Sequence, residues 1–396
     1  MRTLLRASCL GLLSVAALHC SADGTGASAD GNDEGATLTD ASSREDAAAD
    51  PLAPDADAGD DMDAGPCSAG GWCKTSVPKN VTEITAVWSF ASDEAIATTR
   101  ANPLRWDGTT WKAFNAPELE GLTSLWATSP NDIWGVAQYE YRLVHGTRAK
   151  AGDPFVWSTT ELDSDSPSLD MIRGNGERDL WVYGTRWGEP ALRHGVISTP
   201  DDGDAPVVSW TTVPITFESL GFVRSFTVTA NNEVWLAAYL WSTTSYGAIL
   251  RGVPTDTPDE YAWAEVLSGN ALGGADMHVI WASSSTDLWA IAKGGKSYRG
   301  TVAADGGVGW TAFSNPVNSM MTSAWGSGPD DVWAVGSAGA IRHWDGTAWT
   351  ISKLTVADIP MWQDLTSVHG GPAGDVWAVG NGIALHRAPK SLGGTP

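Results

Sequence analysis

The chain has 396 residues, 18% of them charged, and a formal net charge of −23 at pH 7. It contains no run of Lys or Arg and no basic stripe, which disfavours binding to nucleic acid or to an anionic lipid surface. Its cysteines and histidines follow no zinc-ligand spacing, so the sequence predicts neither a metal site nor another cofactor.

The N-terminal segment predicts export. Residues 1–19 combine two arginines with an apolar run that is too short to cross a bilayer as a helix. The run leads to Cys20, and the segment resembles a bacterial lipoprotein signal in which Cys20 carries the lipid, at the outer membrane or cell surface. His19 stands where that pattern has a small residue. Cleavage near Ala22 and release as a secreted or periplasmic protein is therefore the alternative.

An acidic linker follows, so residues 20–66 are predicted to be a lipidated Cys and a disordered tether. Residues 21–66 hold 13 acids, one base and no aromatic residue. Such a segment buries too little apolar surface to offset its ordering entropy, and its self-repulsion keeps it extended. It would lift the rest of the chain off the membrane, or act only as a solvating leader.

Cysteine usage predicts one disulfide. Cys9 would leave with the signal and Cys20 would carry lipid, so Cys67 and Cys73 remain. An even remainder in an exported protein indicates a disulfide, with two free thiols as the alternative.

Residues 67–390 form a sevenfold repeat whose clearest copy is residues 323–349. An anchor position recurs at intervals of 38 to 54 residues, at Ile96, Trp134, Trp181, Trp235, Trp289, Trp333 and Trp377. A second Trp follows later in the repeat, at Trp72, Trp111, Trp157, Trp210, Trp263, Trp310 and Trp349. A period of this length, built from short alternating runs and Gly turns, is typical of propeller blades. We therefore predict an all-β, seven-bladed β-propeller.

Polar residues recur on the same period. An acid precedes every anchor by two residues, and we expect it to accept hydrogen bonds from turn amides. Histidines recur near the predicted third strand, and we expect structural roles for them: His145, His194, His343 and His386.

The termini predict how the ring closes. The seventh copy stops after its third strand, near Arg387, and lacks an outer strand. Residues 72–77 have the form of residues 109–114, which belong to an outer strand in the first copy. We therefore expect this N-terminal segment to pair with the last blade and remove its open edge. Residues 391–396 are predicted to be a disordered tail.

The motifs carry a family resemblance. Asp-x-Trp-Ala-Val-Gly at residues 331–336 and Trp-Asp-Gly-x-x-Trp at residues 344–349 resemble the repeats of bacterial cell-surface propeller proteins, many from myxobacteria-like genomes. The resemblance covers residues 72–388 and implies a fold without an activity. The Asp345-Gly346 turn is also similar to the Asp-box of sialidases. Gly directly after Asp departs from that pattern, so sialidase activity is not implied.

Departures from the repeat give the candidate sites. Trp187, Trp241 and Trp362 fall outside it, in loops that a four-stranded meander places on one face. With Tyr246 and Arg186 they predict a ligand-binding surface, because exposed aromatic residues cluster at interfaces. The alternative is that these rings fold back onto neighbouring blades.

The innermost strands depart from the repeat as well. Four copies have a Trp there, at Trp88, Trp126, Trp281 and Trp325. Copy three has Arg173 and copy seven has His369, and we expect both side chains to face a central channel. They would form a polar pair or fill the channel together with water.

No nucleophile elbow, metal triad or phosphate loop is present, so no catalytic residue is predicted. The pattern favours a monomeric, non-catalytic protein-interaction scaffold at the cell surface, with an unidentified protein or glycan partner. A glycan- or ligand-binding module is the alternative. A propeller glycosidase or lyase, with a site assembled from distant blades, ranks third.

Overall fold

The computed structural model describes residues 67–137, 141–161, 168–176, 178–186, 189–198, 207–241, 243–313, 319–352, 355–356 and 359–389. The predicted export signal, Cys20, the acidic linker, Trp187 and the tail at 391–396 lie outside these ranges. Within them, no helix is long and apolar enough to cross a membrane.

The described residues form seven antiparallel four-stranded sheets, which confirms the predicted propeller. Blade one consists of β2 (Ile84–Ala91), β3 (Glu94–Thr99), β4 (Leu104–Trp106) and β5 (Trp111–Ala113). Blade two consists of β6 (Leu122–Ser129), β7 (Asp132–Ala137), β8 (Arg142–Thr147) and β9 (Val156–Glu161). Blade three consists of β10 (Ser168–Gly176), β11 (Asp179–Arg186), β12 (Glu189–Ser198) and β13 (Val207–Val213). Blade four consists of β14 (Leu220–Val228), β15 (Val234–Leu240), β16 (Tyr246–Pro254) and β17 (Tyr261–Ser268). Blade five consists of β18 (Met277–Ala282), β19 (Asp287–Ala292), β20 (Ser297–Val302) and β21 (Val308–Phe313). Blade six consists of β22 (Met321–Gly328), β23 (Asp331–Gly336), β24 (Ile341–Trp344) and β25 (Trp349–Ser352). Blade seven combines β28 (Leu365–Gly370), β29 (Val376–Gly380) and β30 (Ile383–Arg387) with β1 (Trp72–Lys74). A small hairpin of β26 (Thr355–Val356) and β27 (Ile359–Pro360) precedes blade seven, and single 3-10 turns lie at Pro117–Leu119 and Ser337–Gly339.

The N-terminal strand closes the ring as predicted. Trp72 in β1 pairs with Arg387 in β30, and the Thr75 amide donates to the Ala384 carbonyl at 3.0 Å. The strand is shorter than the predicted segment 72–77, because regular pairing stops at Lys74. Its register covers the third strand of blade seven, so that strand is no longer an open edge.

A disulfide braces this closing strand, since Cys67 is bonded to Cys73 as predicted. Between these cysteines, the Ser68 amide donates to the Trp72 carbonyl at 2.7 Å, and the Ser68 hydroxyl accepts from the Trp72 amide at 3.2 Å. The short loop therefore fixes the direction in which the chain enters β1.

Outer-strand tryptophans pack onto glycines of the third strand. The register pairs Gly146 with Trp157 and Gly252 with Trp263, and the same holds for Gly195–Trp210 and Gly300–Trp310. A Cβ on Gly146 would lie 2.3 Å from the Trp157 ring. These glycines are needed because the indole rests directly on the backbone.

One polar unit recurs in every blade. The register places a third-strand His or Arg beside each anchor, in the pairs Ile96–Arg105, Trp134–His145, Trp181–His194, Trp235–Arg251, Trp289–Arg299, Trp333–His343 and Trp377–His386. In blade six the His343 ring stacks on Trp333 with centroids 3.9 Å apart, and its Nε2 donates to Asp331 at 2.6 Å. The Trp333 indole N–H donates to Asp331 as well, at 3.1 Å.

These bonds correct the expectation for the sevenfold acid. In blade six the donors to Asp331 are side chains, those of His343, Trp333 and Ser327, in place of the expected turn amides. The hydrogen bond from His343 holds the pKa of Asp331 below its usual range, although burial opposes this. Each acid is therefore matched by a His or Arg in the third strand of its own blade.

Threonine hydroxyls join the innermost strands of neighbouring blades. They donate to main-chain carbonyls of the next blade, from Thr322 to Leu365 at 2.7 Å, from Thr366 to Ile84 at 2.6 Å and from Thr85 to Leu122 at 2.5 Å. Blade four has Arg224 at the matching position, and its guanidinium donates to Asp276 of blade five at 3.0 Å. We call these contacts between neighbouring innermost strands the belt. Its hydrogen bonds are neutral from blade six through blades seven and one to blade two, and the one between blades four and five is ionic.

Candidate functional site

The innermost strands of all seven blades line a central channel with a cavity of about 560 Å³. Because successive strands are antiparallel, every innermost strand starts on the face where second-to-third-strand loops and blade-to-blade connections emerge. We call this the loop face. The opposite side, where the first-to-second and third-to-fourth hairpins emerge, is the hairpin face.

Seven equivalent side chains surround the channel towards the hairpin face. We call them the channel ring, and they are Trp88, Trp126, Arg173, Thr227, Trp281, Trp325 and His369. The His369 ring stacks on Trp88 with centroids 4.0 Å apart and lies 5.7 Å from Trp325. Trp126 meets Trp88 edge-on at 5.6 Å. The two predicted channel residues therefore belong to one mostly aromatic ring.

Each indole of the channel ring needs a small residue in the next blade. A Cβ on Gly326 would lie 2.7 Å from Trp281, and one on Gly370 would lie 2.3 Å from Trp325. In blade four the residue equivalent to Gly326 and Gly370 is Val228, which faces position 173. Its side chain would occupy the space that an indole at position 173 would need. This explains why blade three has no Trp there, and why Arg173 can extend into the channel.

Arg173 is enclosed in the ring, although part of its surface faces the channel. Its Nη1 donates to the Ile172 carbonyl at 2.7 Å and to the Ser124 hydroxyl at 3.1 Å, and its guanidinium lies 5.9 Å from the Phe226 ring centroid. No carboxylate among the described residues forms an ion pair with it. Burial lowers the pKa of Arg173 to about 10, so it remains a cation at neutral pH.

His369 is neutral. Its Nδ1 accepts a hydrogen bond from the Ser89 amide at 3.1 Å, which leaves the proton on Nε2. Burial lowers the pKa of His369 to about 3; the charge of Arg173 acts in the same direction and that of Asp375 opposes it. Arg173 and His369 therefore both line the channel, and the charge of Arg173 helps to keep His369 neutral.

The loop face carries two of the three predicted loop tryptophans. Trp241 is 60% exposed in the second-to-third-strand loop of blade four, and Trp362 is 71% exposed in the connection to blade seven. Arg186 is the last residue of the second strand of blade three. Tyr246 is half-buried, and its hydroxyl donates to Glu265 at 3.1 Å. Burial, reinforced by Glu265, raises the pKa of Tyr246. Trp241 belongs to blade four and Trp362 to the connection between blades six and seven, and no ring contact joins them among the described residues.

Trp241 is seated on the backbone despite its exposure. Its ring lies against Gly221 at the start of the innermost strand, where a Cβ would come within 2.9 Å of the indole. Its amide donates to the Ser219 carbonyl at 2.7 Å. This rim position turns one side of the indole to the blade and leaves the other to solvent.

A polar cluster at the innermost strand of blade four was not predicted from the sequence. Arg224 lies over Phe222 and Tyr239, at 4.8 and 5.7 Å from their ring centroids. Asp276 accepts from Arg224 at 3.0 Å and from Nε2 of His278 at 3.1 Å. Burial lowers the pKa of His278, and the charge of Arg224 adds to this. The signal was present in the repeat, because Arg224 and His278 stand where four other blades have Thr.

No protein family and no curated protein matches the sequence. Solved structures match over most of the chain. A YCF48 structure bound to D1 peptide is 17% identical, with 82% of this chain and 100% of that chain covered and a TM-score of 0.57. A catalytically inactive virginiamycin B lyase from Staphylococcus aureus with quinupristin is 14% identical, with 80% and 97% covered and a TM-score of 0.56. The extracellular domain of a putative hybrid two component system from B. thetaiotaomicron is 9% identical, with 80% and 39% covered and a TM-score of 0.57.

The chain is a seven-bladed β-propeller. At these identities the likeness shows the fold alone, and function has to be argued from the sites. In the described ranges, no group of three or more His, Cys, Asp or Glu side chains is arranged to hold a metal ion.

Proposed function

We propose that this protein is an exported, non-catalytic binding propeller that captures a protein segment on its loop face. The observation that carries the proposal is the exposure of Trp241 and Trp362, at 60% and 71%, while every other described Trp is buried or half-buried. Tyr141 and Met320, at 50% and 40% exposed, lie on the same face. All the large aromatic side chains exposed in the described ranges are therefore on one side of the disc.

The chemistry of this face favours a partner held by stacking and apolar contact. Trp and Tyr supply much of the binding energy in protein interfaces, and truncating one such residue costs about 2 kcal/mol or more. The net charge of −23 opposes an acidic partner. A propeller of the same architecture, YCF48, is bound to a peptide, which supports a peptide segment as the occupant.

A neutral glycan is the second candidate, and a specific arrangement favours it. The exposed indole of Trp241 lies against Gly221, on the same strand as Arg224, whose partner Asp276 also accepts from His278. An aromatic platform beside donor and acceptor groups suits a sugar ring, whose apolar face stacks and whose hydroxyls form hydrogen bonds.

The test uses peptide and glycan arrays probed with the propeller and three variants. Trp241→Ala and Trp362→Ala remove the exposed rings, and Val156→Ala is the control because that side chain is 72% exposed at the start of the outer strand of blade two, on the hairpin face. Peptide ligands should bind roughly 30-fold more weakly to the two loop variants, as expected for a loss of about 2 kcal/mol. Glycan ligands with the same dependence would support the second candidate. Unchanged binding in both loop variants would contradict the loop face as the site.

A further inference from the structure

The channel has the opposite charge to the rest of the protein. Against the chain's formal charge of −23, the residues that line the cavity include two arginines, Arg173 and Arg224, and no Asp or Glu. Arg224 is paired with Asp276 at 3.0 Å. Arg173 has no carboxylate partner in the part of the chain that the structure describes, and an enclosed cation without a counter-ion is unfavourable unless a ligand supplies one.

The side chain of Arg173 is held so that one edge remains available. Its Nη1 is bound to the Ile172 carbonyl and the Ser124 hydroxyl, which fixes the guanidinium plane. Its Nε and Nη2 make no hydrogen bond to the described residues. This pair of N–H groups has the spacing that matches the two oxygens of a carboxylate.

The rest of the channel ring adds donors and aromatic walls. His369 accepts at Nδ1, so its Nε2 carries a proton, and this atom has no partner among the described residues. The indole N–H groups of Trp88, Trp281 and Trp325 likewise make no hydrogen bond there. Asp375, whose charge acts on His369, is engaged by the Ser89 hydroxyl at 3.0 Å and by His386 at 3.7 Å, and it forms no ion pair with Arg173.

We propose that the channel ring is a binding site for an organic carboxylate with an apolar or aromatic body. One uncompensated cation matches one negative charge, and the rings of Trp88, Trp325 and their neighbours match an apolar body. The cavity of about 560 Å³ lies within the range of small-molecule sites. The site is independent of the loop-face proposal, because it lies towards the opposite face and uses none of the same residues.

The test compares acids with their primary amides, which have nearly the same shape but no charge. The probes are benzoate and N-acetylphenylalanine, each against its amide, measured by calorimetry and ligand-observed NMR at millimolar concentration. The propeller should bind an acid at least about tenfold more tightly than its amide, because a hydrogen bond to a charged group contributes about 1.5–3 kcal/mol. Equal binding of acid and amide, or no binding of either acid, would overturn the proposal.

Variants locate the charge that is responsible. Arg173→Gln should abolish the preference for the acid, and Arg173→Lys should keep the preference with weaker binding, because the charge stays and the paired N–H edge is lost. Arg100→Gln, at a solvent-exposed Arg paired with Glu83, is the matched control and should bind as the wild type. If Arg173→Gln does not fold, Arg173→Lys and competition by sodium chloride against the wild type still report the charge dependence.

Two further variants separate this site from the loop face. Trp241→Ala should bind the acids normally, whatever it does to a peptide or glycan. Arg224→Gln should also keep the acid preference. Loss of that preference in Arg224→Gln but not in Arg173→Gln would place the carboxylate at the other end of the channel and overturn the assignment to the channel ring.

Discussion

Removal of the Trp72 side chain tests how the ring closes. Trp72 is 1% exposed and meets Trp333 of blade six edge-on, with ring centroids 5.3 Å apart. Trp72→Ala leaves a cavity between blades six and seven, and truncation of a buried Trp costs about 3–5 kcal/mol. A domain of this size has a net stability of about 5–15 kcal/mol, so the loss is a large share of it. The unfolding entropy grows with chain length, so for the roughly 320 residues of the propeller each kcal/mol corresponds to about 1.5 °C, and the melting temperature should fall by about 4–8 °C.

Calorimetry and near-ultraviolet circular dichroism would measure this change. Trp241→Ala is the matched control, since it removes the same side chain from a position that is 60% exposed. A surface substitution usually changes stability by less than about 0.5 kcal/mol, so the control should melt within about 2 °C of the wild type. A melting temperature for Trp72→Ala within that same range would refute the argument that the closing strand is held by this indole. An equal fall in both variants would show that Trp241 is a packing residue.

Three further predictions concern export, the disulfide and the channel. Cys20→Ala should abolish palmitate incorporation, and unchanged signal processing in that variant would favour the soluble alternative. Cys73→Ser should cost about 2 kcal/mol through the freed loop, and a reducing agent should lower the melting temperature of the wild type by the same amount but leave the variant unchanged. The pKa of His369 is lowered from 6.5 to about 3 in the native protein. Between these two pH values the unfolded chain binds a proton at this residue and the native protein does not, so the free energy of unfolding is unaffected by the titration of His369 above pH 6.5 and decreases as the pH falls through this window. Urea unfolding at pH 7 and pH 4.5 should show a smaller decrease in the free energy of unfolding for His369→Gln than for the wild type. Equal decreases in the two proteins would contradict the buried neutral state of His369.

The blades were predictable from the sequence because the strands and turns of each repeat are determined by residues that are close together in the chain. The second strand of blade six is buried on both faces, so its run from Val332 to Val335 is almost wholly apolar. The turn before its outer strand has Gly346 at a φ of +93°, and Asp345 accepts from the Thr347 and Ala348 amides at 2.9 Å. Such signals depend on neighbours in the chain, and seven copies of them reinforce one another.

The partners of the acids were not predictable in the same way. The acid–anchor spacing is visible along one strand, but the His or Arg that binds the acid comes from the next strand, so the register has to be known. In blade four the bond joins Glu233 to Arg251, with Nε donating at 2.9 Å. Four blades have His and three have Arg as the third-strand partner of the acid. Because the two residue types differ, identical residues do not mark these positions as equivalent.

The channel depended on closure of the whole ring. Arg173 and His369 lie in blades three and seven, and nothing local in either repeat indicates that they line the same channel. The steric requirement of the channel ring also involves two blades, because the Trp325 indole leaves room only for Gly at position 370 in the following repeat. A comparison of each innermost strand with the next one along the chain, rather than with the average repeat, would have found both Val228 opposite Arg173 and the ionic step from Arg224 to Asp276.

The distribution of charge connects the fold to both proposed sites. Every anchor acid has an Arg or His partner in its own blade, and none of these acids is among the residues that line the channel. Among the residues that line the channel, the threonines are neutral and Arg224 is paired with Asp276, whereas Arg173 forms no ion pair with a described carboxylate. Burial of such a cation is costly for folding, and the aromatic ring that encloses it raises that cost by excluding water. Arg173 therefore carries a folding cost, which binding of an organic anion in the channel would offset.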